Sequence, residues 1–129
     1  MKKILYFLVT ILNSVVYAQD AYLCLPKSAT GFSYVQNSSS WEITTFNISD
    51  NKYLLKNKSG KWSWDKFGSN FPKSCIDLNQ KIMCNLLVGE VIFDKKTLRY
   101  LRTYIPGYVD GIANNDNTPL IEIGTCSSL

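Results

Sequence analysis

Four cysteines, at positions 24, 75, 84 and 126, and the lack of any histidine constrain this chain more than any other feature. An even cysteine count without CxxC spacing reads as two disulfides. Zinc is the rival reading, and it fails for want of both that spacing and an imidazole. Cys75 and Cys84 are separated by eight residues, among them Asp77, Asn79, Gln80 and Lys81, a composition suited to a hairpin turn. Pairing those two leaves Cys24 with Cys126, which ties the first strand to the last, where an up-and-down barrel must close. Four cysteines allow three pairings, and this is the preferred one. No metal and no cofactor are expected.

The first residues set the compartment. Lys2 and Lys3 precede an uncharged apolar run, Ile4 to Leu12, and Val16-Tyr17-Ala18 puts small residues at the −3 and −1 positions. This is the pattern of an export signal, with cleavage expected after Ala18. Asn13 and Ser14 cut the run well short of the roughly 20 apolar residues a spanning helix needs. The expectation is therefore a signal over residues 1–18 and one domain over 19–129, periplasmic or secreted. No stable membrane insertion is expected after cleavage. Such a compartment tolerates disulfides. The formal charge of +4 falls to +2 once Lys2 and Lys3 are removed, too little to argue for nucleic acid. A monomer is expected. Three triplets, starting at Asn37, Asn47 and Asn57, match the glycosylation pattern. In a Lys-, Asn-, Ile- and Ser-rich chain with a bacterial-looking signal they read as chance.

The rest of the chain breaks into short β-prone runs separated by Gly, Asn, Ser, Asp or Pro. Predicted strands are Ala21–Leu25, Gly31–Val35, Trp41–Phe46, Lys52–Lys56 and Lys61–Lys66. Five more follow: Ser74–Leu78, Lys81–Leu86, Glu90–Phe93, Leu98–Tyr104 and Leu120–Cys126. The main turns fall at 36–39, 57–60, 94–97 and 114–117. Eight to ten short strands at this spacing predict an all-β fold, a single small antiparallel meander closed or nearly closed as a β-barrel. Trp62 and Trp64 lie two apart and share a face, expected inward. Helices over 76–87 or 97–105 are the alternative, and aromatic and β-branched residues favour strands there.

Without histidine, Ser-His and Cys-His nucleophilic sites are impossible. Carboxylate chemistry would fall to Asp110, Asp116 and Glu122, read first as turn acids and a salt-bridged strand residue. No catalytic residue is assigned. Asp110-Gly111 followed by 114–117 offers oxygen ligands but not the EF-hand spacing. Gly60-Lys61-Trp62 matches the Gly-x-Trp of lipocalin-type barrels, and Trp41, Trp62 and Trp64 are the candidate lining of an internal ligand cavity. The basic, aromatic run 95–111 splits its arginines between two strand faces. Arg102 shares one with Tyr100 and Tyr104, whereas Arg99 shares the other with Leu101 and Thr103. A nucleic-acid groove would need them together, so a hairpin strand with one cation paired to Glu90 or Glu122 is preferred. Tyr100, Arg102, Tyr104, Tyr108 and Asp110 are the candidate binding surface.

"FDKKTLRYLRTY" at 93–104, "GYVDG" at 107–111 and "DNTPLIEIGTC" at 116–126 carry a resemblance to a group of small exported bacterial proteins. "YLC", "GFSY" and "KWSWDKFG" extend it upstream. The resemblance implies a secreted or periplasmic β-rich domain with two disulfides. It brings no activity, so no functional residue is transferred. The expected function is a non-enzymatic module binding an envelope or extracellular protein, for which barrel-shaped lysozyme inhibitors are a precedent. A lipocalin-like carrier of a small ligand or a carboxylate hydrolase is the alternative.

Overall fold

Nine antiparallel strands account for the regular structure of residues 21–129, which the computed structural model describes. The export-signal reading and its cleavage point lie outside the described residues. The strands are β1 (Ala21–Val35), β2 (Ser40–Thr45), β3 (Tyr53–Lys58), β4 (Lys61–Lys66) and β5 (Lys73–Leu78). They continue as β6 (Lys81–Asn85), β7 (Glu90–Asp94), β8 (Arg99–Tyr104) and β9 (Leu120–Ser128). Sheet order is β2-β1-β3-β4-β5-β6-β7-β8-β9, and β1 also pairs with β9. Eight strands thus form a closed barrel, and β2 is an addition outside the ring. The expected all-β barrel is the fold observed, and both disulfides have the expected partners, Cys24–Cys126 and Cys75–Cys84.

One segment departs from the sequence reading. The runs 21–25 and 31–35 are a single strand, because Pro26 does not end β1. The register against β9 shifts between Pro26 and Ser28, and a bulge of this kind accommodates a residue that cannot donate to the ladder. The first part of β1 pairs with β3, over Ala21 to Cys24. The strand then outruns the barrel and pairs with β2 from Thr30↔Thr45 to Val35↔Ser40. The β1–β2 hairpin therefore projects from one end of the ring.

Cys24 and Cys126 face each other across the closing seam, and both are buried. Strand parity then sends Gly124 and Glu122 inward with Cys126. Gly124 lies opposite Tyr100; a Cβ there would strike the Tyr100 ring and the backbone of Leu25. Tyr22, Trp62 and Phe93 fill one part of the interior, and Tyr53, Trp64 and Tyr100 another, the latter with ring centroids 4.8–6.1 Å apart. Trp62 and Trp64 do point inward, as expected, and they pack against other side chains.

Candidate functional site

The interior ends in a polar cluster built on Glu122, which has no exposed surface. Glu122 Oε1 accepts from the Tyr100 hydroxyl at 3.0 Å and Arg102 Nε at 3.3 Å. Oε2 accepts from the Tyr53 hydroxyl at 3.1 Å, Arg102 Nη2 at 3.3 Å and Asn51 Nδ2 at 3.4 Å. Arg102 also lies over the Tyr53 ring, 5.5 Å from its centroid. Glu122 and Arg102 are direct cross-strand neighbours, and Glu122 is one of the two acids expected from the sequence to pair with a cation of this run. Five donor groups thus converge on the two oxygens of the carboxylate. Burial, and behind it the Glu122 carboxylate, holds the Tyr53 and Tyr100 phenols protonated well above the usual tyrosine range.

That linkage sets an alkaline limit. A raised folded pKa contributes stability that is fully present below the unfolded value of about 10 and is lost as pH rises through the folded one. Phenolate absorbance is expected to show Tyr53 and Tyr100 ionising only together with unfolding above about pH 10. Replacing both by phenylalanine should uncouple the two events; free titration of all tyrosines in the folded protein would contradict this.

Inward Glu122 and Arg102 have a consequence for the outer wall. Ile121, Ile123 and Leu101 are displayed outside, at 50%, 49% and 38% exposure. Their outer face continues across β1 and onto β2 through Phe32 and Ile43, which are cross-strand partners, and through Tyr34 and Trp41, the next outward pair. The segment joining β8 to β9 folds back beside this face. Asn115 binds both backbone groups of Tyr34, accepting from its N–H at 2.7 Å and donating to its carbonyl at 2.8 Å. The Phe32 N–H donates to the Pro119 carbonyl at 3.0 Å, and the Tyr104 hydroxyl donates to Asn117 Oδ1 at 2.7 Å. Tyr108 thereby meets Trp41 edge-on, with centroids 5.9 Å apart. The result is a groove of about 820 Å³ whose walls include Phe32, Trp41, Ile43, Ile105, Tyr108 and Ile121.

Gly107 is the pivot of that returning segment. It has φ +102°, and a Cβ would collide with the Asn117 carbonyl oxygen. Gly107→Ala is expected to destabilise the segment by about 1–3 kcal/mol and to displace Tyr108 from Trp41. Near-ultraviolet circular dichroism should report the lost aromatic contact, and an unchanged spectrum would refute the assignment.

The residues predicted to act as one surface divide between two places. Tyr104 and Tyr108 line the groove. Tyr100 and Arg102 lie inside the barrel with Glu122; Tyr104 shares their face of β8 but ends the strand, where its hydroxyl is held by Asn117 of the returning segment beside the groove. Asp110 is exposed beside Tyr108 and accepts from the Gly107 N–H at 3.3 Å. The three tryptophans also separate. Trp62 and Trp64 are core residues, and only Trp41 reaches the groove. None of Asp110, Asp116 and Glu122 lines it. Lys95, from the basic run, binds Asp77 at 2.8 Å and covers Trp62 at 5.7 Å from its centroid.

Phe32 and Ile43 escaped the sequence reading. Their signal was present: Phe32 and Tyr34 alternate with Gly31 and Ser33, and Trp41 and Ile43 alternate with Ser40 and Glu42, on either side of the turn at 36–39. A hairpin with that register has one apolar and one polar face. No family model, curated protein or solved structure matches the chain.

Proposed function

We propose that the protein is a non-enzymatic binding module for an extracellular or periplasmic protein, and that its contact surface is the groove between the β1–β2 hairpin and the 105–119 segment. The observation that carries this reading is a continuous exposed apolar face on the outside of a barrel whose inside is packed. Ile43, Val109 and Tyr108 are 80%, 72% and 64% exposed. Contiguous patches of this kind mark interaction surfaces, and Trp and Tyr are the usual anchors. Two disulfides suit an oxidising compartment.

The test is quantitative capture of partners from an extracytoplasmic extract. The oxidised protein is expected to retain a saturable partner that a Trp41→Ala/Tyr108→Ala variant loses, with the same melting temperature in both. Identical capture by the two would sink the reading. Carriage of a small apolar ligand is the second reading, and the groove's volume favours it, since it falls in the range of small-molecule sites. In that case a neutral apolar dye would compete with nothing proteinaceous yet still bind in a Trp41-dependent way.

A further inference from the structure

Charge is divided along the chain in the same way as the groove is divided from the rest of the barrel. The two segments that line the groove, 30–43 and 103–121, contain Glu42, Asp110 and Asp116 and not one Lys or Arg; Glu42 lies on the hairpin face opposite to Trp41 and Ile43. Residues 52–102, which form the remaining wall from β3 to β8, contain eleven Lys or Arg against four Asp or Glu. Glu122, next to the groove in sequence, is neutralised inside by Arg102. The groove thus presents aromatic faces with no charged residue among its lining, and its nearest acids in sequence are Asp110 and Asp116. Asp110 directly follows the groove residues Tyr108 and Val109 and is exposed. Trp41 is flanked edge-on by Tyr34 and Tyr108. Potentials across an interface are complementary, and Lys and Arg are attracted to Trp and Tyr faces.

We infer that the occupant of the groove is a cationic segment of a partner protein: an apolar anchor seated among Phe32, Trp41 and Tyr108, flanked by Lys or Arg that face Asp110 and Asp116. This rests on the binding-module reading and adds the chemistry of the partner. The hairpin contributes a second element of fit. Among the described residues β2 pairs only with β1, so its other edge is open for an extended chain to pair beside the groove.

Three fluorescein-labelled peptides provide the test, alternating leucine with lysine, glutamate or serine around one central tryptophan and read by fluorescence anisotropy against the full oxidised protein. The lysine peptide is expected to bind at least about tenfold more tightly than the glutamate peptide at low salt and to lose that margin as salt rises. Trp41→Ala should abolish binding. Asp110→Asn with Asp116→Asn, which keeps an acceptor for the Gly107 N–H, should weaken the lysine peptide by about two- to fivefold per charge. Lys56→Gln with Lys66→Gln, on β3 and β4 and outside the groove lining, should leave it unchanged. Equal affinity for the three peptides, or failure of the lysine peptide to bind, overturns the cationic partner. A partner captured from extract through Trp41 would still stand as evidence for the module itself. Salt-sensitive, Trp41-dependent self-association in sedimentation equilibrium would instead give the groove to the basic wall of a second copy and overturn the proposal.

Discussion

Replacing Cys24 and Cys126 together by alanine is expected to lower the unfolding free energy by up to about 4.7 kcal/mol, the chain-entropy value for a loop of about 100 residues. The two residues are 102 positions apart. The same formula gives about 2.5 kcal/mol for the Cys75–Cys84 pair, which spans 9. Since a domain of this size holds roughly 5–15 kcal/mol in all, the first loss takes a large share of it. Cys24 and Cys126 also sit on the seam where the first strand, β1, meets the last, β9, and the sheet closes on itself. Their removal should therefore loosen Ala29, Glu122 and Gly31 farther along the same seam, and with them the floor of the groove. Denaturant unfolding of the two double variants, with hydrogen exchange on β1 and β9, checks both points. Equal destabilisation by the two pairs would refute the loop-length argument, and unchanged exchange at the seam would refute its local part.

Glu122→Leu should cost about 3–5 kcal/mol, the penalty for leaving a buried ion-pair partner uncompensated. The substitution strands Arg102, whose side chain is 15% exposed, and takes the acceptor from Tyr53, Tyr100 and Asn51 at once. The cost reflects those orphaned groups more than any net strength of the pair. A second variant separates the two. Replacing Arg102 by methionine together with Glu122→Leu restores an apolar pair of similar volume, and such exchanges are often neutral or better. Recovery of most of the loss is expected, less the cost of two phenols without a carboxylate. Unfolding midpoints for the two single variants and the double variant complete the cycle. A single variant within about 0.5 kcal/mol of the parent, the range of ordinary surface changes, would show that the cluster bears no structural weight.

Much of the fold was readable because its determinants are local. Turn residues at 36–39 and 114–117, period-two runs such as Lys61–Lys66, and cysteines placed at a hairpin and at the two chain ends each act over a few residues. The continuation of β1 through Pro26 was not readable, since whether a proline ends a strand depends on what the neighbouring strand needs from its N–H. The candidate site was half readable. Tyr104, Tyr108 and Asp110 were named for their place beside a glycine-rich turn, whereas Phe32 and Ile43 became a surface only when β1 outran the ring.

The clearest division lies in Leu120–Cys126. By alternation alone, Ile121 and Ile123 oppose Glu122, and the ordinary inference buries the isoleucines. That alternation is a property of the strand and follows from the sequence by itself, as does the lack of any Lys or Arg in 30–43 and 103–121. The cysteine pairing was the preferred one of three, and ten predicted strands became nine once β1 ran through Pro26. Which side faces inward was decided by the tertiary structure. The disulfide at Cys126 and the Tyr100 ring over Gly124 set the parity of β9, and Arg102 on the neighbouring strand supplied the counter-ion that makes a buried Glu122 tolerable. With the carboxylate inside, the isoleucines had to go outside, and the groove's apolar face is the result.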